Sequence, residues 1–132
     1  MTRKLILARI LLIEERPNFY AANRTALETA GYEVILARNP REAMERIEGD
    51  WPDLLLVELA ENRKNEILEF GKRLHRDPIL RHLPIVFFAS PEGGFSGNLP
   101  KEEIHYAAAL LPKPCSTQTL LRTLGSVLEQ RK

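Results

Sequence analysis

Apolar positions fall into short continuous runs separated by segments of helical period. Ile10-Leu11-Leu12-Ile13 has no polar interruption, as in a strand covered on both faces. Over 17–30 the period changes, with Phe19, Ala22, Ala26 and Ala30 on one predicted stripe and Gly31 as the C-terminal stop. Glu33-Val34-Ile35-Leu36-Ala37 predicts a second strand. Asn39-Pro40 then supplies an N-cap and a proline at the first helical position, opening a helix to about residue 48 with Ala43, Met44 and Ile47 inward. Residues 53–59 are apolar except for Asp53 and Glu58, so the strand they predict belongs at the centre of a sheet.

A helix over 65–76 follows, with Ile67, Leu68, Phe70 and Leu74 as its apolar side and Pro78 beyond its end. Leu83-Pro84-Ile85-Val86-Phe87-Phe88-Ala89 predicts a fourth strand, with proline near its start where a missing donor is tolerated. Residues 91–98 read as a loop, 100–106 as a short helix, and 108–111 as a fifth strand. Ser116 caps a last helix to about residue 130, with Leu120, Leu121, Leu124, Val127 and Leu128 inward. Strands near 9–14, 33–37, 53–59, 84–89 and 108–111 thus alternate with five helices. The expectation is one α/β domain over 1–132, a doubly wound five-stranded parallel sheet in three α/β/α layers. Ligands of such sheets bind outside the carboxyl ends of the strands.

Those ends carry the candidate chemistry. Glu14 and Glu15 follow the first strand, Glu58 closes the third, and Lys113 follows the fifth. Composition narrows the setting. Nineteen basic against eighteen acidic residues leave a net charge of +1, which gives no field favouring nucleic acid or anionic lipid. A single cysteine, Cys115, excludes an internal disulfide framework and suits a reducing cytoplasm. Residues 5–13 are too short an apolar stretch to cross a bilayer. A cytoplasmic location is expected.

The stretches Ile10-Leu11-Leu12-Ile13-Glu14-Glu15, Ala30-Gly31-Tyr32-Glu33-Val34, Asn39-Pro40-Arg41-Glu42-Ala43, Pro52-Asp53-Leu54-Leu55-Leu56-Val57-Glu58, Leu83-Pro84-Ile85-Val86 and Lys113-Pro114 are individually unspecific. In this order and spacing the chain resembles a receiver domain of bacterial two-component response regulators, the CheY-like, flavodoxin-like (βα)5 fold, over essentially its whole length. The resemblance implies a phosphorelay role. Two acids after the first strand would hold magnesium, and an aspartate after the third would take a phosphoryl group from a histidine kinase. A threonine or serine after the fourth strand would follow the phosphate, with a lysine after the fifth.

The residues match in part. Glu14 and Glu15 occupy the metal-binding pair, Glu58 the phosphoacceptor position, and Lys113 its own. Ala89 stands at the switch-hydroxyl position with Ser90 next to it, and Leu110 replaces the switching aromatic. Glutamate adds one methylene, about 1.5 Å of reach, and a displacement near 1 Å costs on the order of a hundredfold where positioning carries catalysis. A lost donor such as the hydroxyl missing at Ala89 is worth roughly 3 kcal/mol. The expectation is a pseudo-receiver that lacks the phosphoacceptor aspartate and acts by protein–protein interaction, not as an enzyme.

Glu58 is expected to contact Lys113, either freezing one signalling state or holding the sheet end together. Lys113 is expected to neutralise the acids with no cofactor; the alternative is magnesium on Glu14, Glu15 and Glu58. A second reading is a working phosphoacceptor using Glu58 or Ser90 with a divalent metal. A third, a nucleotide-binding or small enzymatic domain, lacks a phosphate-cradling glycine loop, since Glu15-Arg16-Pro17 follows Glu14 instead.

The expected partner is another signalling protein: a histidine kinase, an output protein or a second receiver, with a homodimer included. It would dock on the face built by the fourth helix, fifth strand and fifth helix, with Ile104, Tyr106, Leu110, Arg122 and Ser126. No nucleic acid or membrane partner is expected. His75, His82 and His105 lie on different elements at no ligand spacing and read as surface residues, Arg63 and Lys64 as solvated charges, and Trp51 as a packing residue.

Overall fold

A computed structural model describes residues 6–89 and 104–130. Five strands, β1 (Ala8–Ile13), β2 (Tyr32–Ala37), β3 (Leu54–Glu58), β4 (Ile85–Ala89) and β5 (Ala109–Pro112), form one sheet in the order β2-β1-β3-β4-β5. Every pairing is parallel. The described helices are α1 (Asn18–Thr29), α2 (Pro40–Asp50), α3 (Lys64–Arg76) and α4 (Thr117–Gln130), the last being the helix that the sequence numbers fifth. Short 3₁₀ turns at Glu61–Arg63 and Leu80–His82 flank α3. This is the doubly wound, flavodoxin-like receiver fold expected.

Two buried clusters explain the layering. Leu11, Ile13, Leu55, Val57, Ile85 and Phe87 meet α2 and α3 on one face of the sheet. Ile10, Leu12, Leu54, Leu56, Val86 and Phe88 meet α1 and α4 on the other. Alternation along a strand therefore sends successive apolar residues into different cores, which is why β1, β3 and β4 read as unbroken apolar runs. Each such fully buried side chain contributes roughly 1.5–3 kcal/mol. The edge strands β2 and β5 are only partly buried.

Capping follows the sequence. Asn39 Oδ1 accepts from Glu42 N at 2.9 Å, with Pro40 at the first position of α2. Ser116 Oγ accepts from Thr119 N at 3.0 Å ahead of α4.

Several expectations are corrected. The inward face of α1 is Phe19, Asn23 and Leu27; Ala22 is exposed, and Ala26 and Ala30 are half-buried. Asn23 is tolerated there because its Nδ2 donates to Phe19 O at 2.9 Å. Trp51 is not a packing residue but a half-exposed C-cap of α2, in the left-handed region at φ 38°. Within the short helix expected over 100–106, residues 104–106 form a turn, and the rest lies outside the described residues, as do Ser90 and the 91–98 loop.

Ile104 is 7% exposed and belongs to the core, so it is removed from the expected docking face. Tyr106 is half-buried and stacks on His75 with centroids 5.1 Å apart. Its phenol lies against Gly71 of α3, where a Cβ would collide with it. His75 and His105 are exposed, as expected, and their rings meet edge to face at 5.5 Å.

Candidate functional site

The strand order reverses between β1 and β3, the switch point at which such sheets bind ligands. The structure brings Glu14, Glu58 and Lys113 together there. Glu58 is the last residue of β3, level with Phe88 of β4. Lys113 N donates to Ala89 O at 2.8 Å, which holds the start of the β5–α4 loop over the sheet edge. From that position Lys113 Nζ donates to Glu58 Oε2 at 2.6 Å and lies 3.6 Å from Glu14 Oε2. Lys113 Nζ also lies 5.7 Å from the Phe88 ring centroid, and Phe88 stacks on Phe19 at 4.3 Å.

Glu14 is 1% exposed, and its carboxylate faces the start of α1. Oε2 accepts from Phe19 N at 2.9 Å and Oε1 from Tyr20 N at 3.1 Å. The first turn of α1 has no acidic residue, and Pro17 makes no side-chain cap. Glu14 therefore satisfies two orphan amides from upstream and places negative charge at the helix's positive end. Burial still pushes its carboxyl above the usual glutamate value; the two amides and Lys113 oppose that shift and Glu58 adds to it.

Glu15 departs from the cluster. Arg63, at the entry to α3, approaches both of its oxygens at 3.1 Å and also binds Glu66 Oε2 at 2.9 Å. The Arg63 guanidinium holds the Glu15 carboxyl below its ordinary value. Arg63 is thus the site residue missed by sequence reasoning, which took it for a solvated charge; the two partners lie 48 positions apart. Between these groups is an open cleft of about 310 Å³ lined by Glu15, Arg16, Asn18, Glu58, Ala60, Asn62 and Lys113. Ala89 is buried and offers no hydroxyl, and Leu110 projects from β5 at 37% exposure.

A magnesium ion needs near-octahedral oxygen ligands at short range. Here both Glu14 oxygens accept backbone amides, both Glu15 oxygens face Arg63, and Glu58 Oε2 holds an ammonium. As arranged, these oxygens already hold protein partners and do not form an open ligand set for a divalent cation. Among the described residues no group of three or more His, Cys, Asp or Glu has metal-holding geometry.

The fold is that of receiver domains, and the candidate site lies at the C-terminal edge of its sheet. No protein-family model matches the chain. It is 28% identical over 121 residues to the polar-differentiation response regulator DivK of Brucella anthropi, covering 90% of this chain and 94% of that one. A putative response regulator from Chloroflexus aurantiacus superposes with a TM-score of 0.78 at 22% identity, covering 92% of this chain and 98% of that one. A response regulator from Thermotoga maritima gives a TM-score of 0.73 at 20% identity over 92% and 97%. No helix among the described residues is long and apolar enough to cross a membrane.

Proposed function

We propose that the chain is a pseudo-receiver: a two-component signalling module that is not phosphorylated in the ordinary way and works by protein–protein contact. The observation that carries this reading is the 2.6 Å bond from Lys113 Nζ to Glu58 Oε2. A carboxylate nucleophile must be free to attack phosphorus in line, with a cation neutralising the phosphoryl oxygens. Here the ammonium is already spent on the carboxylate, and Arg63 and the α1 amides engage the two acids that would hold metal. The described residue at the switch position, Ala89, has no hydroxyl to follow a phosphate.

The partner is another signalling protein, and the response-regulator name of the Brucella relatives supports that setting. Of the expected docking residues, Leu110 on β5 and Arg122 and Ser126 on α4 are exposed. The test is an amide NMR spectrum taken with and without magnesium chloride and acetyl phosphate. Unchanged resonances around Glu58 and Lys113 are expected; saturable shifts there would favour the working phosphoacceptor reading.

A further inference from the structure

Among the described residues, the exposed large apolar side chains are Ile6, Leu7, Trp51, Ile79 and Leu110. Four of them stand at one pole. Ile6 and Leu7 lead into β1, Trp51 joins α2 to β3, and Ile79 lies between α3 and β4. Since β1, β3 and β4 are adjacent, all four leave the N-terminal edge of neighbouring strands, at the opposite end of the sheet from Glu58. Scattered exposed hydrophobics are ordinary. Exposures of 54%, 61%, 50% and 66% gathered at one edge are not scattered.

The charges around them differ in sign from one side to the other. Arg76 and Arg81 flank Ile79, both exposed, and neither enters a salt bridge among the described residues. Asp77 lies between them, but its Oδ1 accepts from Ile79 N and Leu80 N at 2.8 and 3.0 Å. Basic residues at the end of α3 suit the helix dipole. Arg81 and the exposed Ile79 lie beyond that helix and are not accounted for in this way. Beside Trp51 stand Glu48 and Asp50; Asp50 pairs with Arg46 of its own helix at 3.9 Å and its carbonyl accepts from Arg9, so Glu48 is the carboxylate there that enters no salt bridge among the described residues.

We propose that this pole is a self-association surface covered by a second copy of the chain. Ile79 with its arginines in one copy would meet Trp51 with its carboxylates in the other. A two-fold axis repeats that contact, so one surface matches itself in shape and in charge. An apolar centre with a charged rim is the anatomy of a protein interface. A net charge of +1 gives two copies little long-range repulsion. This surface is independent of the pocket at the other end of the sheet and of the function proposed for it.

Trp51 is the only tryptophan, so its emission reports its own burial. Sedimentation equilibrium and fluorescence of the full chain, from micromolar to submillimolar, should show a monomer–dimer equilibrium with a concentration-dependent blue shift. Ile79→Glu should weaken association by about tenfold or more, as loss of a central anchor does. The pairs Arg76→Glu/Arg81→Glu and Glu48→Arg/Asp50→Arg should each dissociate. Their equimolar mixture should associate again, because each contact then rejoins opposite charges.

Circular dichroism melts report that the variants are folded, and the wild-type measurement needs no variant. A monomer at every concentration overturns the proposal, as does a dimer with unshifted Trp51 emission or a mixture that fails to associate. A monomer that binds phosphatidylglycerol vesicles with a Trp51 blue shift would overturn it too, assigning the pole to a membrane.

Discussion

Lys113 Nζ reaches Glu58 Oε2 at 2.6 Å by crossing β4, the strand between β3 and β5. The pair is only partly open to water, with side-chain exposures of 26% and 16%. Removing the cation leaves Glu58 and buried Glu14 facing each other without it. Lys113→Met should therefore cost about 1–3 kcal/mol, below the value for a fully buried pair because of solvent screening. Urea denaturation of Lys113→Met and of Lys113→Met/Glu58→Gln checks this. The double variant should regain most of the loss, giving a coupling that a double-mutant cycle reads directly.

Glu14 gives the stability a pH signature. Its folded-state carboxyl is raised above the ordinary 4.5, with burial as the largest cause. The folded state then holds more protons than the unfolded state, so this group's contribution is present below 4.5 and is lost as pH rises through the raised value. Glu14→Gln removes the titration while losing one acceptor for the α1 amides. Stability relative to wild type should thus improve as pH rises from 4.5 through the raised value and then level off, in denaturation at fixed temperature. A flat difference would contradict the raised value.

The opposite sign holds at Glu15. Arg63 depresses its carboxyl, so the contribution is present above the ordinary 4.5 and is lost as pH falls through the lowered value. In Arg63→Ala the Glu15 carboxyl should titrate closer to 4.5, as followed by NMR of the side-chain carbonyl.

Gly71 and Tyr106 fix the packing of the turn ahead of β5. Alanine favours a helix over glycine by roughly 1 kcal/mol, yet a Cβ at position 71 meets the Tyr106 phenol. Gly71→Ala should be net destabilising by about 1–3 kcal/mol through overpacking. Adding Tyr106→Phe should recover part of that in thermal melts.

Strands were legible because residues buried on two faces must be apolar throughout, as in Leu54 to Val57. The Glu58–Lys113 contact was legible because parallel strands present their ends on one edge. The face of α1 was not, since alanine packs or faces water with little energetic difference, while Asn23 is held inside by a local bond to Phe19 O. Glu14 as the cap of α1 and Arg63 as the clamp on Glu15 depend on side-chain direction across loops, which residue spacing does not encode. The meeting of His75 with His105 likewise rests on how α3 packs against the turn before β5.

The most direct test of the closed pocket is intact-protein mass after incubation with acetyl phosphate and magnesium chloride. The account predicts an unchanged mass for wild type. A stoichiometric phosphoryl adduct mapped to Glu58 by peptide fragmentation would contradict it.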